Sequence, residues 1–371
     1  MKNTFGQSVS VTLFGESHGE AIGAVIDGLA PGIEVDNQAI SEKLKKRRPS
    51  SAIDTARKEA DEFSIVSGVF RGKTTGTPIC IVIKNEDKRS ADYEKFHGVA
   101  RPSHADFTAF EKYHGYEDYR GGGHFSGRVT AALVAAGAIL NTALNGIGID
   151  IATHILRCSD ICDRPFSKEN SELTDDINAL KAKEFPVLDD SVKDKMTEII
   201  MRAKEELDSV GGITQTVING LPAGVGEPWF DSIESVLSHG LFSIGGIKGV
   251  EFGIGFDFAN RKGSECNDEF FTDGERVFTQ TNNNGGINGG ITNGMPVIFS
   301  CAVKPTPSIA REQKTVDFLN CENVKLKITG RHDPAIIRRI CPVIDSVTAI
   351  AVCDMLAMRY GTDVFIKDRL Q

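Results

Sequence analysis

An α+β fold is what this sequence predicts, with layers of mainly antiparallel sheet around buried helices and a pseudo-twofold relating two halves. Three observations carry that reading. Strand-like runs do not alternate regularly with helices, so a doubly wound parallel sheet fits poorly. Val129 to Leu144 and Val343 to Tyr360 read as helices that are apolar around much of their circumference, which places them inside the molecule. Short stretches also recur. Val25-Ile26-Asp27-Gly28-Leu29-Ala30-Pro31-Gly32 is echoed by Val217-Ile218-Asn219-Gly220-Leu221-Pro222-Ala223-Gly224, and Thr75-Gly76-Thr77-Pro78-Ile79 by Asn293-Gly294-Met295-Pro296-Val297. At ~150 residues per domain, 371 residues give a soft prior of two to three domains. The echoes favour one unit instead, residues 1–371, made of two structurally related halves.

The strand-like runs are Ser8–Phe14, Ala21–Ile26, Phe63–Val69, Pro78–Ile83, Ile213–Ile218, Val250–Phe256, Pro296–Val303 and Val324–Thr329. Between them, Asp36 caps a helix that runs to about Arg48, where Pro49 stops it. Val192, Met196, Ile199, Ile200, Ala203 and Leu207 fall on one helical face, with Gly211-Gly212 beyond its end. Asp231-Ser232-Ile233-Glu234 resembles a capping box at the head of a third helix. Polar and charged throughout, the stretch from about Cys158 to Asp190 reads as a surface insertion.

Composition narrows the function. Forty-two Lys and Arg against 51 Asp and Glu give a net charge of −9, which argues against nucleic acid as a general partner but not against a local basic pocket. No signal-peptide pattern opens the chain. Its longest uninterrupted apolar run, Ala131 to Leu140, is about half of what a bilayer requires. A soluble, cytoplasmic protein with no membrane role is expected. The eight cysteines are thinly spread and form no CxxC, the usage of reduced and mostly buried thiols. Neither His-x-x-x-His nor an EF-hand is present, so no metal site is expected.

Four polar, glycine-containing segments bear on chemistry. Gly15-Glu16-Ser17-His18-Gly19 follows a strand, and its glycines let the backbone turn and present Ser17 and His18. It lacks the frame of a serine nucleophile elbow, and a loop histidine is often simply solvated. Arg101-Pro102-Ser103-His104-Ala105-Asp106 precedes Arg120-Gly121-Gly122-Gly123-His124-Phe125-Ser126-Gly127-Arg128 at the mouth of a buried helix. Backbone N–H groups, a helix dipole and a guanidinium there suit an anion, unless the loop is merely flexible. Asn282 to Ile291 is dense in Asn and Gly, which reads equally as a donor-rich cradle or a long hairpin turn. Lys304, Thr306 and Ser308 beyond it are phosphate-binding types. Gly330-Arg331-His332-Asp333-Pro334 puts a proline where a helix begins, with Asp333 as its cap. Lys45-Lys46-Arg47-Arg48 suits the C-terminal end of a helix dipole. Together these point to an anionic ligand held by several loops. A lyase or transferase acting on a phosphorylated, carboxylated metabolite and a flavin-dependent oxidoreductase both remain open.

In this order, the segments resemble those of the chorismate synthase family. Gly15-Glu16-Ser17-His18-Gly19, Arg101 to Asp106, the loop from Arg120 to Arg128, Gly285-Gly286-Ile287-Asn288-Gly289-Gly290-Ile291, Lys304-Pro305-Thr306 and Gly330-Arg331-His332-Asp333-Pro334 span almost the whole chain. The resemblance implies a β-α-β sandwich assembled as a homotetramer. It implies a carbon–oxygen lyase of the shikimate pathway, serving aromatic amino acid biosynthesis. Such enzymes turn 5-enolpyruvylshikimate 3-phosphate into chorismate and phosphate by 1,4-anti-elimination and require reduced FMN. The flavin is supplied by NADPH-dependent self-reduction or by an external flavin reductase. An NAD(P)H-dependent flavin oxidoreductase is the alternative, but no Gly-x-Gly-x-x-Gly follows a strand.

Carried over by the resemblance, His18 acts as general acid to the departing phosphate, His104 balances the reduced flavin, and Asp333 relays the C6 proton by way of flavin N5. Arg47 or Arg48, Arg101, Arg128 and Arg331 clamp the substrate, with Ser17 beside them. His124, Phe125, Ser126, Gly245, Gly246, Gly289, Lys304, Pro305, Thr306, Pro307, Ser308 and Arg331 match cofactor-binding positions. Three departures stand out. Ser50-Ser51-Ala52-Ile53-Asp54 replaces a segment that usually carries another substrate arginine, for which Arg57 is the substitute at hand. His124-Phe125-Ser126-Gly127-Arg128 stands for the common Arg-Ser-Ser-Ala-Arg, and Gly245-Gly246 lies where the family varies.

Overall fold

The computed structural model describes residues 2–51, 53–54, 60–86, 97–328 and 332–366. Two antiparallel five-stranded sheets enclose a helical layer. The first sheet holds β1 (Thr4–Phe5), β2 (Ser10–Gly15), β3 (Ala21–Asp27), β4 (Phe63–Ser67) and β5 (Ile79–Lys84), in the order β1-β2-β3-β5-β4. The second holds β6 (Asp150–Cys158), β7 (Ile161–Cys162), β8 (Gly212–Asn219), β9 (Ile247–Phe252) and β10 (Val297–Val303), in the order β7-β6-β8-β10-β9. Between the sheets run α3 (Thr130–Gly146) against β3 and β5, and α7 (Ile337–Tyr360) against β6 and β8, with the two helices packed on each other. By length and composition either helix could cross a bilayer. Yet 78% and 100% of those stretches is buried in the chain, so their apolar surface is spent on the sheets and on each other.

The halves repeat one path of strand, strand, helix, edge strand, inner strand, central helix. Helices α1 (Asn37–Arg47) and α6 (Ile233–Phe242) are equivalent insertions. The echo at 25–32 and 217–224 is the same lock built twice. Thr74 Oγ1 donates to Ala30 O (2.7 Å) and accepts from Ile33 N (2.9 Å); Thr292 Oγ1 donates to Pro222 O (2.7 Å) and accepts from Val225 N (2.8 Å). Both threonines are buried, so each hydroxyl satisfies a donor and an acceptor that water cannot reach.

Local signals set several boundaries. Asp36 caps α1 through Gln38 N, and Arg48 is extended, as a residue before proline must be. Helix α5 (Lys193–Glu205) buries Met196, Ile200 and Ala203, and Ser232 caps α6 through Ser235 N. Other expectations need correction. Strand β6 was not anticipated, because Thr153, His154 and Arg157 interrupt its apolar residues. The supposed surface insertion instead covers the second sheet. Its helix α4 (Asn170–Ala182) lays Leu173, Ile177 and Leu180 with Phe166 against Ala152 and Val217. Those three residues follow i, i+4, i+7 spacing, which the surrounding charge obscures. Strand β9 ends at Phe252 and a 3-10 turn follows, while α7 begins at Ile337, six residues before the expected start. The N-cap position of α7 is therefore Ile336, not Asp333. All eight cysteines are free, and five are buried; burial pushes Cys158 up to about 11 and Cys301 to about 12, which leaves them inert.

Candidate active site

The site grows from a turn that only glycine can make. Gly121, Gly122 and Gly123 have φ of 61°, 82° and 52°. A Cβ on Gly121 would fall 2.2 Å from His18 Cε1, and one on Gly122 would lie 3.2 Å from His104 Cε1. His18 and His104, 86 residues apart in sequence, thus rest on successive residues of one turn. Ser17 N donates to Gly123 O (3.1 Å), and Asn85 Nδ2 donates to Glu16 O (2.9 Å) and Gly19 O (3.1 Å), pinning the loop after β2.

Ser17 and His18 are buried. Ser17 Oγ lies 3.0 Å from His18 Nδ1 and 3.2 Å from both Arg120 O and Gly121 O. A hydroxyl that donates to a carbonyl can accept from Nδ1–H. Asp118 stands close by, held below the ordinary carboxylate range by Arg120's hydrogen bonds, with His18's charge adding to them.

His104 precedes α2 (Asp106–Tyr113). Arg101 forks onto Asp106, Nε to Oδ2 at 2.8 Å and Nη2 to Oδ1 at 2.6 Å, and His104 Nδ1 lies 2.9 Å from the same Oδ1. Burial pushes the Asp106 carboxyl up, but the bonds from Arg101 and His104 outweigh it and hold it well below the usual range. The second half clasps this loop. Lys304 Nζ donates to Ser103 O (2.8 Å), and Thr315 Oγ1 donates to Ala100 O. His332 sits near enough to Arg101 to feel its charge; its Nε2 faces Ile328 O (3.3 Å) and Ser308 Oγ faces Nδ1 (3.2 Å). Burial, with Arg101 beside it, pulls the His332 pKa down. Asp333 Oδ2 accepts from Arg339 Nη1 (2.7 Å), and Arg339 Nε donates to Arg47 O (2.8 Å).

Three arginines expected to clamp a ligand have their forks engaged inside the chain. Arg101 holds Asp106. Arg47 donates to Asp61 Oδ2 (2.9 Å), Thr130 Oγ1 (3.0 Å) and Gly127 O (3.2 Å). Arg128 donates to Asp61 Oδ1, Asn85 Oδ1 (3.0 Å) and Lys84 O (3.2 Å). Both guanidiniums are buried, and Asp61 is the carboxylate between them. Arg48 donates to Ala60 O. Arg331 and Arg57 lie outside the described residues.

Of the cofactor positions, the 304–308 stretch joins the histidine loops and Gly289 does not. Lys304 N bonds to Gly246 O (2.9 Å), and Ser209 Oγ holds Thr306 O (2.7 Å). Thr306 Oγ1 is buried without a partner among the described residues, two positions from a lysine whose pKa is lowered by burial and by the nearby Lys248. Pro305 packs on Gly211, Pro307 links Thr306 to Ser308, and a Cβ on Gly245 would meet open space. Gly289 turns a hairpin between residues 287–288 and 291–292, with φ of 61°. His124 Nδ1 donates to Gly15 O (2.8 Å), Phe125 meets the edge of Tyr113, and Ser126 Oγ accepts from Arg128 N (3.3 Å). Sequence reasoning missed Asn85, Asp61, Asp106 and His332 as members of the site. Asp106, two residues beyond His104, and His332, beside Asp333, had a local signal; Asn85 and Asp61 had none.

The chorismate synthase family pattern matches residues 9–357. A chorismate synthase from Methanocella arvoryzae is 44% identical over 355 residues, covering 95% of this chain and 94% of its own. One from Pyrococcus abyssi is 44% identical, covering 95% and 97%. A crystal structure of a chorismate synthase superposes with a TM-score of 0.76 at 27% identity, over 96% of this chain and 94% of that one. With a pattern that runs nearly end to end, full-length relatives and the same sandwich, the chain belongs to the chorismate synthase family.

Proposed function

We propose that the chain converts 5-enolpyruvylshikimate 3-phosphate into chorismate and inorganic phosphate. The C3–O bond to phosphate breaks, a proton leaves C6, and the electron pair of that C–H bond completes the new diene. One observation carries the reading: two histidines and their hydrogen-bonding supports converge on consecutive glycines of a single turn. His18, with Ser17 placed to accept from Nδ1–H, holds a proton for the departing phosphate oxygen. Asp333, oriented by Arg339, takes the C6 proton on its carboxylate. Arg47 and Arg128 act from behind, holding Asp61 and the residues that flank the turn.

Reduced FMN fits the donors present. The orphaned Thr306 hydroxyl, the Lys304 ammonium beside Lys248, and Ser308 would hold its anionic groups. When bound, reduced FMN lends electron density to the loss of phosphate. NADPH or an external reductase supplies the electrons that keep it reduced. In this reading the enzyme is a cytoplasmic homotetramer, and Trp229 and Phe230, 85% and 89% exposed, are surface of the kind that subunits cover.

The test is anaerobic incubation of the chain with this substrate and chemically reduced FMN. One phosphate should appear per chorismate, and one charge of reduced flavin should serve many turnovers. Stoichiometric flavin oxidation without oxygen would refute the lyase and favour an oxidoreductase.

A further inference from the structure

We infer that Asp106 is a positioning residue that fixes the tautomer of His104. The tautomer follows from the hydrogen bonds around Asp106, and only its kinetic consequence rests on the proposed reaction. Asp106 Oδ2 is committed to two donors, Arg101 N at 2.9 Å and Arg101 Nε at 2.8 Å. Oδ1 receives Arg101 Nη2 at 2.6 Å and faces His104 Nδ1 at 2.9 Å. A carboxylate only accepts, so Nδ1 must carry the proton. Nη2 also lies 3.0 Å from Nδ1 and has a second hydrogen to give, but a bare Nδ1 would set its lone pair against the carboxylate oxygen 2.9 Å away, whereas Nδ1–H gives that oxygen a second donor. In the neutral ring Nε2 is then the bare nitrogen. Its edge of the ring is the one turned to Gly122, the neighbour of the glycine that carries His18. No described residue bonds Nε2. A carboxylate that holds one imidazole nitrogen leaves the other to meet the ligand in a defined protonation state.

Asp106→Asn gives the inference its edge. Arg101 N and Nε have only the Oδ2 position to donate to, whereas Nη2, on losing Oδ1, has a bare Nδ1 at 3.0 Å as another acceptor, so the amide oxygen stays at Oδ2 and the NH2 group turns to His104. Nδ1 must then accept, and the proton moves to Nε2. The same substitution in a Ser-His-Asp triad leaves geometry intact, reverses the tautomer and lowers kcat about 10⁴-fold.

The experiment is ¹⁵N magic-angle-spinning spectroscopy of the full chain carrying labelled histidine. The His104 signals, among eight histidines, are assigned by their loss in His104→Gln. At about pH 9 an imidazole is neutral, and the wild type should show Nδ1 protonated and Nε2 bare. Asp106→Asn should show the reverse and should lower kcat by about 10²-fold or more, with KM within about threefold. Nε2–H in the wild type overturns the inference without any variant, so a misfolded Asp106→Asn does not protect it. An unchanged tautomer in the variant, or a reversed tautomer with normal kcat, overturns it too. A wild type that makes no chorismate refutes the proposed reaction alone, and the spectra still decide Asp106.

Discussion

Asp61→Asn tests whether one carboxylate holds the back of the active site together. Asp61 has no exposed side-chain surface, and the Arg47 and Arg128 side chains that it joins are 7% and 3% exposed. The amide is isosteric, and asparagine tolerates the left-handed φ of 53° found here, so charge is the main thing changed. Two buried guanidiniums would then share no anion, and breaking a buried pair this way costs about 3–5 kcal/mol. At ~2.1 cal/mol/K per residue, the 371-residue chain unfolds with roughly 0.8 kcal/mol/K of entropy. Calorimetry at neutral pH should therefore show Tm about 4–6 °C lower, at a scan rate shown not to affect it. The pH dependence gives an independent sign. Burial pushes the Asp61 carboxyl up, but the charges of Arg47 and then Arg128 prevail and hold it low. Its stabilisation is complete above the unfolded carboxylate value of about 3.9 and is lost as pH falls through the lower folded value. Wild type and variant should converge in that acid range. A Tm change under about 1 °C at neutral pH, or a difference that persists undiminished in strong acid, would refute the keystone role.

His18→Ala should lower kcat by about 10²-fold or more and leave FMN affinity near wild type; near-normal turnover would remove the general-acid assignment. Thr306→Val deletes a buried hydroxyl that has no partner among the described residues, so the free protein should be as stable or up to about 1 kcal/mol more stable. FMN should bind about tenfold more weakly by fluorescence titration, and an unchanged affinity would place the flavin elsewhere.

What the sequence disclosed was local. The Asp36 cap, the proline stop after Arg48 and the doubled Gly-Pro turns depend on residues within a few positions of each other, and they were legible. Strand β6 was not, because it is buried between α4 and α7 and shows neither clean alternation nor an unbroken apolar run. The arginines mark a sharper limit. Carboxylate is carboxylate to a guanidinium, whether it belongs to a ligand or to Asp61 and Asp106, so residue type alone could not say which the forks would hold. His124 shows the same limit in reverse. Its Nδ1–H on Gly15 O ties the glycine turn to the end of β2, a task a neutral ring performs as well as a charged one.

The doubled architecture explains why these segments meet. In each half, a long connection runs from the inner sheet strand to the central helix, residues 85–129 after β5 and 304–336 after β10. The first carries Arg101, His104, Asp106, the glycine turn and Arg128. The second carries Lys304, Thr306, Ser308, His332 and Asp333. Equivalent connections approach each other across a pseudo-twofold, and here they touch, Lys304 on Ser103 O and Thr315 on Ala100 O. The sheets and the threonine locks stayed alike because packing asks the same of both halves. The connections differ, one carrying paired histidines and the other cation, hydroxyl and carboxylate. Neither half holds both sets of groups. The chemistry proposed here therefore depends on the contact between the halves as much as on any single side chain.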